Sequence, residues 1–232
     1  MIMESIEMWT RSPLDKLVSF YRDVMEFPIL SSDERQITVK VGYSDMTFKK
    51  VTDEAGIEEH LDPFYHFAIN IPENKLGEAK SWIESKLELC TEAGSDISRS
   101  ELWDSHAVYF MDSGGNILEI IARHTMDNAI DRPFNPKSDL LGISEMGLPT
   151  RDVPRAVKEL EELGIHTYKK GSPDFNPAGD EEGMFIVAIE GRRWHFTPLS
   201  AELFPFSVRI KGVGVVHLEE HRTGQVLAVA RP

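Results

Sequence analysis

The chain has 232 residues, 41% of them hydrophobic, which is enough for one large domain or two of ordinary size with real cores. Its 25 Lys and Arg against 39 Asp and Glu leave a formal net charge of -14, which repels nucleic-acid backbones and anionic membrane surfaces. The opening MIMESIEMWT lacks a basic segment followed by an apolar run, no stretch reaches the roughly 18 apolar residues of a membrane span, and the single Cys90 excludes an internal disulfide framework; a cytosolic globular protein is expected, with neither nucleic acid nor membrane as partner.

A first unit opens with a short strand at residues 3–9. Ser12 and Pro13 suit a helix N-cap and first helical position, and Leu14, Leu17, Val18, Tyr21 and Val24 recur at helical spacing, predicting a helix over 13–25. Residues 36–41 and 46–51 then read as a strand hairpin around Gly42. The second unit repeats this order. Residues 64–71 form a strand, Asn74 can cap a helix carrying Leu76, Ala79, Ile83 and Leu87, and 107–111 and 117–121 are strands joined by Asp112-Ser113-Gly114-Gly115-Asn116.

A polar stretch with two prolines, 126–139, predicts a boundary between a paired-module domain at 1–125 and a second domain at 139–232. In the third unit, 141–148 is a strand. Asp152 and Pro154 start a helix through Val153, Ala156, Val157, Leu160 and Leu163 that Gly164 stops, and 184–189 with 193–197 is expected as a closing hairpin around Glu190-Gly191. Residues 207–210, 213–218 and 226–230 read as three short strands with no preceding helix, a truncated fourth unit. Three copies at such long intervals are too few and too coarse for a solenoid, so paired sheet modules of α+β class fit better.

Alternation splits each strand into a face that packs on its helix and a face that does not. In the second unit Tyr65, Phe67, Ile69 and Ile71 claim the packed face, leaving His66, Ala68 and Asn70 opposite. Glu119, flanked by Ile117 and Ile121 on its face, must find a partner, a pocket or a metal to offset its desolvation. The third unit offers Glu145 on its first strand and His195 on its expected last strand. The first offers Ser5, Glu7 and Trp9 on its first strand with Thr47 and Lys49 on its last; Lys49 would repel a cation and can pair with Glu7.

These residues resemble the vicinal oxygen chelate superfamily, which includes glyoxalase I, extradiol ring-cleaving dioxygenases and bleomycin-resistance proteins. The resemblance covers about residues 1–198 and is carried by Ser19-Phe20-Tyr21-Arg22-Asp23-Val24 with Phe27-Pro28, by His66-Phe67-Ala68-Ile69, by Asp112 through Ile120 (DSGGNILEI), and by Met146 through Val153 (MGLPTRDV). It implies repeated βαβββ modules paired into half-open barrels, three full modules plus the truncated fourth, with metal ligands on the first and last strands of a module. His66 and Glu119 match those two slots. Ser5 falls in the first-strand slot of unit one, Glu145 in that of unit three, and His195 in the last-strand slot there.

Two pairings follow. If units one and two pair, the cleft holds Ser5, Glu7, Lys49, His66 and Glu119, a polar ligand pocket. If units two and three face each other, within the chain or across a homodimer, His66, Glu119, Glu145 and His195 form a two-histidine, two-carboxylate site suited to a divalent transition metal such as Fe, Mn, Zn or Ni. The expectation is a metal-dependent enzyme acting on a small oxygenated organic substrate, with ring cleavage among the reactions open to it. The rival is a metal-free protein that binds or sequesters a small molecule, such as a drug, in a cleft lined by Trp9, Lys49 and His66. His217-Leu218-Glu219-Glu220-His221 matches the H-x-x-E-H pattern of zinc peptidases, but that chemistry needs a helix and the surrounding residues read as strand and turn. Gly179-Asp180-Glu181-Glu182-Gly183 reads as an acidic turn, wrong in charge for a phosphate cradle.

Overall fold

The computed structural model describes residues 1–221 and 224–230. Two seven-stranded sheets form its frame. The first contains β1 (Met3–Thr10), β2 (Ile29–Ser32), β3 (Gln36–Val41), β4 (Ser44–Lys50), β12 (Phe206–Ile210), β13 (Gly214–His221) and β14 (Gly224–Ala230), in the order β14-β13-β12-β1-β4-β3-β2. The second contains β5 (His66–Ile71), β6 (Ser98–Ser100), β7 (Ser105–Met111), β8 (Ile117–Arg123), β9 (Gly142–Thr150), β10 (Phe175–Asp180) and β11 (Gly183–Ile189), in the order β10-β11-β9-β5-β8-β7-β6. The main core, which includes Ile6, Met8, Phe48, Phe67, Ile69, Phe110, Met146 and Leu148, is built from the strand faces that the alternation assigned to packing.

The α+β modules are those expected, but they do not pair in sequence order. Unit two pairs with unit three through the antiparallel neighbours β5 and β9, whereas β1 of unit one takes β12 from the C-terminal remainder as its antiparallel neighbour. The chain therefore closes by bringing its end back to its beginning, and the division at 126–139 into 1–125 and 139–232 does not follow the sheets. The stretch between them crosses to the far side of β5. It ends in α3 (Pro136–Asp139), where Arg132 pairs with the buried Asp139, and Asn74 spends its side chain on the Ile130 backbone rather than on capping α2 (Leu76–Glu84).

Within each module the last strand lies parallel to the first: β4 beside β1, β8 beside β5, β11 beside β9. A parallel neighbour needs a crossover, which α1 (Leu14–Ser19), α2 and α4 (Val153–Glu161) supply. The remainder has no helix and so can only turn back, which is why β12, β13 and β14 form an antiparallel meander. In unit three the last strand is the apolar run of β11, buried on both faces, and its edge strand shrinks to one bridge between Thr167 and Ala178. The hairpin expected at 184–189 and 193–197 is therefore one strand out of step. Its real partner is β10, joined across the Glu181-Glu182 turn, while Gly191 (φ 82°) and Phe196 (φ 60°) take left-handed conformations that carry 190–200 off the sheet as a loop.

The two motifs that mark the fold are bonded to each other. Tyr21, in a π-helical turn (Phe20–Val24) that continues α1, donates to Asp112 Oδ2 at 2.5 Å, and Asp112 Oδ1 accepts the Gly114 and Asn116 amides at 2.7 and 2.8 Å. Asn116 in turn accepts the Tyr65 amide at 2.9 Å, fixing the start of the strand that carries His66. His217 lies on strand β13, not on a helix, and Arg222 and Thr223 of the expected turn lie outside the described residues. Among the described residues no helix is long and apolar enough to cross a membrane.

Candidate metal centre

Register on the second sheet brings the cluster together. Ala68 of β5 has Glu119 of β8 as its partner on one side and Glu145 of β9 on the other, so both carboxylates flank His66, two residues back on the same face. His66 Nε2 lies 3.5 Å from Glu119 Oε2 and 3.7 Å from Glu145 Oε2, and all three side chains are at most 5% exposed. His66 Nδ1 is buried without a hydrogen-bond partner. Arg123, fully buried, pairs with Glu145 and donates from Nε to Asn70 Oδ1 at 3.2 Å.

The two acids are driven apart electrostatically. Burial, then the neighbouring Glu145 carboxylate, pushes the Glu119 pKa well up, against the opposing pull of the Tyr109 hydroxyl and Arg123. Burial acts to raise Glu145 as well, but the nearby His66 imidazole and the charge and hydrogen bond of Arg123 outweigh it and hold that carboxyl below its ordinary range. The two shifts run in opposite directions, so Glu119 holds its proton more firmly than Glu145, a division that adjacent carboxylates adopt when their surroundings differ. Burial and the two acids also hold the Tyr109 hydroxyl protonated.

Three of the four expected ligands have donor atoms within 4.8 Å of one another, and the fourth, His195, lines the same cavity but lies outside that group. His195 sits on the 190–200 loop, 60% exposed, with Nδ1 3.9 Å from Glu92 Oε2, and partial burial and Arg192 push its pKa down. The shift of one strand explains the displacement. The true last strand, β11, sets Met184 opposite Glu145 and Ile186 opposite Gly147, so the position matching Glu119 holds Ile186. The loop instead contributes Trp194, 5.0 Å from the His66 ring between centroids. That approach depends on Gly147, where a Cβ would lie 3.0 Å from Trp194 Cη2 and 3.3 Å from His66 Cβ.

Glu7, Trp9 and Lys49 lie on the first sheet, and among the described residues Trp9 and Lys49 line a different cavity from His66, so the three do not share the expected cleft. Lys49 pairs with Glu7 at 2.5 Å and lies 6.0 Å from the Trp9 ring centre. Register also places Thr47, not Lys49, at the position matching Glu119, since Glu7 pairs with Thr47 as Ala68 pairs with Glu119. Arg123 escaped the sequence reading because β8 was ended at Ile121; four residues beyond Glu119, it repeats the same face of the strand. Trp194 left no signal in the sequence, because only the loop's path brings it over the cluster.

The donor set could hold a divalent ion: one imidazole and two carboxylates offer atoms within 4.8 Å of one another, with His66 Nε2 3.5 and 3.7 Å from the two acids. A cavity of about 40 Å³ lies against His66, Glu119, Glu145 and Trp194, with room for about one water-sized group. Beside it, sharing Glu119, Tyr109, Trp103, Phe175 and His195, lies a cavity of about 400 Å³.

No family model matches the sequence, and no curated protein is similar enough to match it. Solved structures do match. A Bacillus subtilis protein named as a candidate dioxygenase superposes with a TM-score of 0.58 at 15% identity, covering 97% of this chain and 72% of that one. A Zea mays glyoxalase I variant, V278E, superposes at 0.50 with 16% identity, over 81% of this chain and 66% of that one. The chain has the vicinal oxygen chelate fold.

Proposed function

We propose that this chain is a metal-dependent enzyme of the vicinal oxygen chelate type, acting on a small oxygenated organic molecule at the second sheet. The buried cluster of His66, Glu119 and Glu145 carries this reading, because Arg123 offsets the charge of only one of the two carboxylates, and a divalent ion would offset the second. A bound divalent ion would supply Lewis-acid polarisation to a substrate with adjacent oxygens. His66, Glu119 and Glu145 would hold the ion, with Glu119 bound as the carboxylate and Glu145 kept oriented by Arg123. Trp194 and Tyr109 wall the reacting end from water.

Elemental analysis of protein purified without chelator tests this. About one divalent ion per chain is expected, lost in His66→Ala; absence of metal in both would sink the proposal. A second reading, a metal-free binding protein, draws on Ile186 in the fourth ligand position and on Arg123 already paired with Glu145. It requires ligand binding that a chelator leaves unchanged. Cytosolic location and a homodimer remain part of the proposal, the first supported by the lone Cys90.

A further inference from the structure

The larger cavity has a chemistry of its own. At about 400 Å³ it falls in the range, roughly 300–1,000 Å³, of pockets that take small organic ligands, whereas the space at the cluster admits little more than one small group. A substrate's body must therefore lie in the larger space, with only its reactive end reaching Glu119. Trp103, Tyr109 and Phe175 supply flat apolar walls, the Trp103 and Phe175 rings lying 22° from parallel. Besides Glu119 at the inner end and the titratable His195, the charged side chains lining it are Arg99 and Lys170, both exposed, so a chain of net charge -14 presents a cationic mouth.

We propose that this cavity binds a planar aromatic anion, its ring against the aromatic wall that includes Trp103 and its anionic group at Arg99 and Lys170. The other end of the ring then points at Glu119 and the cluster. This deepens the site reading above, because it takes the second sheet as the place of substrate binding. It does not require the metal.

The test uses 3-hydroxybenzoate and its neutral counterpart 3-hydroxybenzamide as probes, with binding followed by calorimetry and tryptophan fluorescence on the full chain, both stripped with chelator and loaded with Mn(II). The acid should bind at least tenfold more tightly than the amide, with an advantage that shrinks as salt rises. Arg99→Ala/Lys170→Ala should erase that advantage while leaving amide binding unchanged, and Trp103→Ala should weaken both probes. Equal affinity for the two probes, no binding of either, or a surface double variant that keeps the preference overturns the proposal. Metal loading without probe binding overturns this inference and spares the metal reading; probe binding without metal loading does the reverse.

Discussion

The two sheets share a plan and differ in what lines their inner faces. On both, a module's first strand lies between its own last strand, parallel, and an antiparallel neighbour: β1 between β4 and β12, β5 between β8 and β9. Matching the registers puts Thr47, Glu7 and Ser207 on the first sheet where the second has Glu119, Ala68 and Glu145, and Ser5 where it has His66. One face carries hydroxyls and a half-exposed Glu7–Lys49 pair; the other carries a buried imidazole, two acids and an arginine. The 190–200 loop makes the second difference, since it lays Trp194 over the second sheet's cluster. A shared scaffold thus becomes a buried charged pocket on one sheet through a few strand positions and one covering loop.

That contrast predicts unequal costs of substitution. Arg123→Met should be the most damaging, because it strands Glu145 as a buried acid without its ion-pair partner; a loss of about 3–5 kcal/mol in urea-melt stability is expected. Trp194→Ala should cost about 3 kcal/mol by the same measurement and raise solvent access to the cluster, read by faster hydrogen exchange of β5 amides. Away from both faces, the Arg132 guanidinium holds the Asp139 carboxyl at about 2. A folded value below the unfolded one, about 4, means that this contribution is complete above pH 4 and fades as pH falls toward 2. Because Arg132 is half-exposed, solvent screening limits the effect to about 1 kcal/mol, and Arg132→Ala should remove that part of the acid dependence in pH-series melts. Glu7→Gln on the open sheet should be the mildest, under about 1 kcal/mol. A cost as large as that of Arg123→Met would erase the distinction between the faces.

The modules were legible in the sequence because their signals are local: helical spacing in α4, the Asp152 cap that accepts the Arg155 amide at 3.0 Å, and the Asp112–Asn116 turn. His66, Glu119 and Glu145 were legible because alternation sorts side chains onto faces whatever the partner strand. Pairing was not, since residues in β1 and β12 find each other across the whole chain and nothing local encodes that return. His195 lies on a loop, and not on the expected last strand, for a related reason: two apolar stretches, 184–189 and 193–197, both look like strands, and only the parallel slot beside β9 decides between them. Arg123 was lost to a strand end placed two residues early.

The most direct test of the central claim is titration of the chelator-stripped protein with Co(II), followed through its visible ligand-field bands. One equivalent should give bands that Glu119→Gln abolishes and that Thr47→Val, at the matching position of the other sheet, leaves intact. Bands that survive Glu119→Gln, or none in the unaltered protein, would contradict the account.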